Sequence, residues 1–206
     1  MQEFLENAVS VETMRRSDAW TIENLTPSKE LMYRAGKGIY EVAMWTPPVA
    51  IICGKGNNAG DGYVVAKLLR EAGVECEIIL LSEDFSADGK YYYDKATAAG
   101  VGAKVYEENM DFAVYGSILD CIFGTGFKGE VRGTAREAIE KINSSGAYIV
   151  SADINSGLNG DTGEGEVCVI SNLTVSIGSY KYGHFRGRAD EVMKDKINVD
   201  IGIKIV

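Results

Sequence analysis

The chain has 206 residues, 46% apolar and 25% charged, with a net charge of −9. That balance excludes a disordered chain, and a chain this long buries roughly 70% of its unfolded surface without needing staples. The acidic charge argues against nucleic-acid and membrane-surface partners, which need a basic face, but leaves room for an anionic small molecule held by backbone N–H groups.

The first predicted element is a helix over SVETMRRSDAWTIENL, with Ser10 as a possible N-cap. The acidic MQEFLENAVSVET before and within it lacks a long apolar core, so it does not read as a signal peptide. TPSKELMYRAGKGIYEVAMW predicts a second helix. Thr26 or Ser28 caps it, Pro27 suits its start, and Leu31, Met32, Ala35, Ile39, Val42 and Ala43 recur at helical spacing. Pro47 and Pro48 follow, and VAIICG (49–54) is a short apolar strand.

Strands and helices then alternate. AGDGYVVAKLLREAG is a helix ending at Gly73, VECEIILL (74–81) a strand, and 86–99 a helix. AKVYE (103–107) is a strand, 109–115 a helical turn, and SILDCIF (117–123) a strand. Residues 133–146 are a helix and AYIVSADI (147–154) a strand. The tail, 165–206, offers strand patterns in EVCVIS, LTVSIG and INVDIGI. The alternation predicts an α/β fold with a doubly wound, mostly parallel sheet. Uninterrupted apolar strands fit a sheet covered on both faces. Without repeats or linkers, 1–206 reads as one domain, with two N-terminal helices at 10–45 and a core at 49–206. The helices either extend the core or form an arm to a second subunit.

Four cysteines without CxxC spacing read as reduced thiols, three of them in apolar runs. With His184 the single histidine, a Cys/His zinc site is excluded, and a Ser-His-Asp triad could use only that residue. No apolar run reaches the roughly 18 residues of a membrane span, so the cytoplasm is the expected location.

Ligands of such sheets bind beyond the strands' carboxyl ends. Four glycine-rich loops stand there: GKGNNAGDG, GTGFKGEVRG, DINSGLNGDTGEG and GSYKYGHFRG. The first is neither GxGxxG nor a Walker A loop, which weakens an NAD(P)-dependent dehydrogenase reading. Its glycines, next to a helix start, favour an anion; in the competing reading Asn58 or Asp61 merely caps that helix. Asp120, late in an apolar strand, must be hydrogen-bonded, paired or bound to a cation. Asp153 ends its strand where catalytic acids sit, or else caps the next turn. Asn58, Asp120 and Ser156 together offer amide, carboxylate and hydroxyl oxygens, a set with one carboxylate that suits a monovalent cation. Lys128 and Arg132 are possible phosphate helpers or solvated charges, His184 reads as a surface residue, and Tyr91, Tyr92 and Tyr93 as a helix packing partly on the sheet.

In order and spacing, GKGNNAGDGYVVAKLL, DCIFGTGFKGEVRG and SADINSGLNGDTGE closely resemble the NAD(P)H-hydrate epimerases, the YjeF N-terminal domain family. MRRSDAW…LMYRAGKGIYEVA and TVSIGSYKYGH resemble further segments, so the likeness covers roughly 10–190. It implies a three-layer, Rossmann-like fold and epimerisation at C6 of the nicotinamide ring of hydrated NADH or NADPH (NADHX, NADPHX). It also implies a homodimer, one K⁺ per subunit on Asn58, Asp120 and Ser156, and substrate contacts at Asn57, Asn58, Ala59, Gly60, Asp61, Gly124, Thr125, Gly126, Phe127, Lys128, Gly129, Glu130 and Asp153. A dehydratase acting in the same pathway would be a separate protein. C6 is a hemiaminal carbon, which inverts through an iminium or by ring opening, and Asp153 is the expected proton carrier. The sequence departs from the family at Ala59 in place of glycine, tolerable if φ is negative, and at Asn155 in place of proline, expected to loosen its turn. A non-catalytic binding module of the same fold is the alternative.

Overall fold

The computed structural model describes residues 8–206. Part of the acidic N-terminal stretch, residues 1–7, lies outside the described residues. Two helices open the fold, α1 (Val11–Asn24) and α2 (Ser28–Val42). The Ser10 hydroxyl caps α1 by accepting from the Thr13 N–H at 3.0 Å. Neither Thr26 nor Ser28 caps α2. Pro27 holds that position with no side-chain bond, its fixed φ already suited to a helix start. Leu31, Met32, Ala35 and Ile39 are buried as the spacing predicts, whereas Val42, on the last turn, is 36% exposed.

The alternating part follows in order. It runs β1 (Val49–Cys53), α3 (Asn57–Glu71), β2 (Cys76–Leu80), α4 (Ala87–Ala98), β3 (Gly102–Val105) and β4 (Ser117–Cys121). It continues with α5 (Gly133–Ser144), β5 (Tyr148–Ala152), β6 (Ser171–Ile177), α6 (Ala189–Val192) and β7 (Met193–Val199). Short 3₁₀ turns lie at Phe112–Val114 and Tyr182–Phe185. The seven strands form one sheet in the order β3-β2-β1-β4-β5-β6-β7, and every pairing is parallel.

In the central strands β1, β4 and β5 side chains alternate between two covered faces, so these strands read as continuous apolar runs, whereas the edge strands β3 and β7 are mostly exposed or half-buried. Ile51, Cys53, Leu119 and Cys121 pack with Tyr63, Val64 and Leu69 of α3. Ala50, Ile52 and Ile118 pack with Ala138, Ile139 and Ile142 of α5. EVCVIS is not a strand. Its residues before Ser171 form the loop into β6, where the Val169 and Cys168 carbonyls accept from side chains of Asn155 and Asn143 instead of a ladder.

The strand order reverses at β1, which pairs with both β2 and β4. Registers Cys53↔Cys121, Asp120↔Ser151 and Ala152↔Val175 bring the carboxyl ends of β1, β4, β5 and β6 side by side. Gly54 permits this. A Cβ there would collide with the Ile122 carbonyl, so the first loop leaves β1 only as glycine.

Candidate functional site

The four glycine-rich loops converge on one cavity of about 550 Å³, within the usual range of small-ligand sites. The first contributes Lys55 to Asn58 and, through α3, Asp61; the second, Ile122 to Phe127; the third, Asp153; the fourth, Lys181. Ala59, Gly60, Lys128, Gly129 and Glu130 do not line it. Ala59 sits in the first turn of α3 without a positive φ, so its methyl group is unstrained. Arg132 pairs with Glu130 at 2.6 Å on the exposed surface, away from the cavity.

The start of α3 is built to meet a ligand. Gly56 occupies the cap position, and no side chain caps the helix, so neither Asn58 nor Asp61 serves that role. The side chain of Asn58 is buried, and both its Oδ1 and Nδ2 lack a hydrogen-bond partner. A buried amide with nothing to bond costs stability, and such an orphan is what a bound ion or substrate would satisfy. Gly124 faces it: a Cβ at Gly124 would come within 3.4 Å of Asn58 Cβ and 3.3 Å of Asp153 Oδ2. The second loop therefore closes directly over Asn58 and Asp153.

Asp120 is fully buried and heavily bonded. Its carboxylate accepts from the Ser156 N–H at 2.9 Å, the Ser151 hydroxyl at 2.9 Å and the Ile122 N–H at 3.2 Å, as well as from the Ser156 hydroxyl. Burial pushes its carboxyl above the ordinary value, and those bonds pull it back. Ser156 Oγ in turn accepts from the Phe123 N–H at 2.8 Å, tying the second and third loops together. The donor set fits a monovalent cation. Asp120 and Ser156 oxygens lie together, although neither residue lines the cavity, and Asn58 Oδ1, in a residue that does line it, has no hydrogen-bond partner.

Asp153 is the non-glycine residue with positive φ among the described residues, at 65°. Two residues of the fourth loop hold it there. Lys181, 1% exposed, forms an ion pair with Asp153 Oδ1 and donates a second bond to the Ile177 carbonyl at 2.9 Å. His184 is fully buried, not on the surface, and its Nε2–H donates to the Asp153 carbonyl at 2.8 Å. Its Nδ1 accepts from the Lys181 N–H at 3.1 Å, which fixes the neutral tautomer. Burial and the neighbouring ammonium lower the His184 pKa to about 4. Burial alone would raise the Asp153 carboxyl; Lys181, helped by the Thr125 N–H, brings it below its ordinary value. Asp61 and Asp18 go the other way. Burial, then Asp153 and Asp18, raises Asp61 well above the carboxylate range, and burial lifts Asp18 to about 6.

Lys181 and Asp18 were not marked by sequence reasoning as site residues, and His184 was placed on the surface. The available signal for Lys181 was its position four residues beyond a strand end, in the fourth glycine-rich loop. The Asn155 expectation is also corrected. Its Nδ2 donates to the Val169 and Val192 carbonyls at 2.9 Å and contacts Ser171 Oγ at 3.0 Å, and its Oδ1 accepts from Thr174 Oγ1 at 2.6 Å. The amide fastens the third loop to β6 and α6, where proline would make none of these bonds.

An all-parallel sheet with a carboxylate, a lysine and an uncapped helix start meeting at its switch point defines a Rossmann-like, small-ligand-binding α/β domain. The chain belongs to the family described as YjeF-related protein N-terminus, which matches residues 28–183. It is 37% identical over 215 residues to an NAD(P)H-hydrate epimerase of Lentilactobacillus buchneri, covering 97% of this chain and 96% of that protein. It is 31% identical to the epimerase of the same name from Rhodopirellula baltica, covering 96% of this chain and 85% of that one. The bifunctional NAD(P)H-hydrate repair enzyme Nnr of Thermofilum pendens is 32% identical, and the match covers 75% of this chain but 32% of that protein. The crystal structure of yeast ynu0, YNL200c, superposes with a TM-score of 0.76 at 21% identity, covering 93% of this chain and 86% of that one, and shares the fold. No helix among the described residues is long and apolar enough to cross a membrane.

Proposed function

We propose that this chain is an isomerase that interconverts the R and S forms of hydrated NADH or NADPH at C6 of the nicotinamide ring. The observation that carries the reading is Asp153. It is held ionised by Lys181 in a cavity whose walls include the uncapped start of α3 and the second glycine-rich loop. The relatives that match nearly the whole chain bear the name of that activity.

The chemistry asks little of the protein beyond position and one proton exchange. C6 carries both a nitrogen and a hydroxyl, so its configuration is lost when water leaves to give an iminium, and inverted when water returns to the other face. No redox step is needed. Asp153, a carboxylate at neutral pH, takes the proton from the adding water and faces the cationic ring; such acid–base help is worth about 10²–10⁴-fold. The start of α3, which no side chain caps, holds the diphosphate together with Lys55.

K⁺ belongs to this proposal. Asn58, Asp120 and Ser156 would hold it, and it would supply a fixed positive charge to these loops. The proposal further includes a homodimer in the cytoplasm. Relatives that carry a repair enzyme's two activities in one longer chain support a dehydratase activity acting alongside.

The test is proton NMR of a mixture enriched in one C6 epimer. Equilibration that outpaces the protein-free blank supports the reading; binding with no gain in exchange would replace it with a ligand-binding module.

A further inference from the structure

Helix α1 lies before the residues the family match covers, yet it forms one wall of the cavity. It is fixed firmly there. The Val9 N–H donates to the Tyr180 carbonyl at 2.8 Å and the Val9 carbonyl accepts from Tyr182 at 3.1 Å, so the chain leading into α1 brackets Lys181. The Val11 N–H donates to Asp161 Oδ1 at 2.8 Å, and Ser17 and Thr21 accept from the backbone of Val206 and Lys204 at 3.0 Å.

Met14, Asp18 and Ile22 all line the cavity. Their spacing of four puts them on one helix face. A carboxylate thus sits in the middle of an apolar stripe. It makes no hydrogen bond or ion pair among the described residues, in contrast to Asp120 and Asp153. The charged groups interacting with it are Lys181 after β6, Asp153 after β5 and Asp61 on α3, and Lys55 before α3 and Asp88 on α4 line the same cavity. α2 and the C-terminal segment present apolar Leu31, Ala35, Ile201 and Ile203 to the cavity.

Lys181 is the one cation among the interacting groups and is already bound to Asp153. Burial raises the Asp18 carboxyl to about 6; Lys181 opposes the rise and Asp153 adds to it, so Asp18 can give and take a proton just below neutral pH. Inversion at C6 requires oxygen to leave one ring face and return on the other, and a carboxylate pinned by Lys181 serves one face.

We propose that Asp18 is a second catalytic carboxyl, exchanging a proton with the C6 oxygen on the ring face that Asp153 does not serve. This rests on the epimerase reading. In one direction Asp18 gives its proton to the C6 hydroxyl as the C6–O bond breaks. Both bond electrons leave with oxygen as water, and the ring-nitrogen lone pair forms the iminium double bond. A water then adds to the opposite face and its proton passes to Asp153; solvent returns that proton to Asp18. The reverse reaction exchanges the two roles, and nothing is oxidised or reduced.

The experiment compares wild type with Asp18→Asn, measuring epimer exchange from pH 5 to 9, hydrate affinity and Tm. The expected result is a loss of kcat of about 10²-fold or more, hydrate affinity within threefold, and disappearance of the inflection near pH 6. A carboxyl with a raised folded-state pKa destabilises once ionised, so Asp18→Asn should raise Tm at pH 8, where loss of a structural residue would lower it. An Asp18→Asn enzyme that exchanges epimers within threefold of wild type, or keeps the inflection, overturns the proposal and leaves the epimerase reading standing. A wild type that exchanges nothing overturns both.

Discussion

Replacing Lys181 by methionine removes the cation that holds Asp153. The two side chains are 1% and 15% exposed, so water does little to screen the pair. Breaking a buried ion pair by deleting one partner costs about 3–5 kcal/mol, because the remaining charge stays buried without compensation. For a chain of this length that is a fall in Tm of about 6–20 °C, at 2–4 °C per kcal/mol. The cost depends on pH. Asp153 has a depressed folded-state pKa, so its pairing stabilises above the ordinary carboxylate value and the contribution is lost as pH falls through the folded pKa. The variant's deficit should therefore be full at pH 7 and shrink toward pH 3, where its carboxyl is neutral. Urea unfolding followed by Trp20 and Trp45 fluorescence measures this across pH. The double variant Asp153→Asn with Lys181→Met should recover most of the loss at pH 7, since the uncompensated charge is gone. A single variant within 1 kcal/mol of wild type at pH 7, or a deficit independent of pH, would refute the account of this pair.

His184 binds no proton when folded until pH falls to about 4, against an ordinary 6.5. Stability should thus be full above pH 6.5 and decline by about 3 kcal/mol on the way to pH 4, at 1.36 kcal/mol per pH unit. His184→Gln should remove that part of the decline in parallel urea titrations. Asn155→Pro, which restores the residue usual in the family, should destabilise by about 3 kcal/mol or more, since it orphans the buried Val169 and Val192 carbonyls and Thr174; denaturant midpoints measure it, and a neutral result would mean that this amide network contributes nothing. If K⁺ sits at Asn58, KCl in place of choline chloride should raise wild-type Tm at equal ionic strength, and Asn58→Ala should abolish the difference.

The core of the fold was legible because its strands are short apolar runs and its helices carry clear apolar spacing. Strand edges moved by one to three residues, as at AKVYE, where the structure has β3 at Gly102–Val105, and by four at INVDIGI (197–203), where β7 is Met193–Val199. EVCVIS misled because alternating apolar residues mark burial as readily as pairing. Cys168 and Val169 are buried, but against α6 and α5, with their carbonyls claimed by asparagines. Convergence of the four loops followed from strand ends alone. What the sequence did not disclose was the partnership of residues far apart in the chain. Asp153 and Lys181 are 28 positions apart, and a lysine in an aromatic loop gives no sign of burial until its carboxylate is placed. His184 was misplaced for the same reason: its partner is a backbone carbonyl in another loop. Asn155 looked like a weakened turn because a side-chain amide's bonds are invisible until β6 and α6 stand beside it.

The most direct measurement pairs hydrate binding with epimer exchange in Asp153→Asn. If a carboxylate at this position moves the proton at C6, the variant should fold with reduced stability because Lys181 loses its partner, bind the hydrate within threefold of wild type, and interconvert the epimers about 10²–10⁴-fold more slowly. An Asp153→Asn protein that equilibrates the two epimers at the wild-type rate would contradict the account.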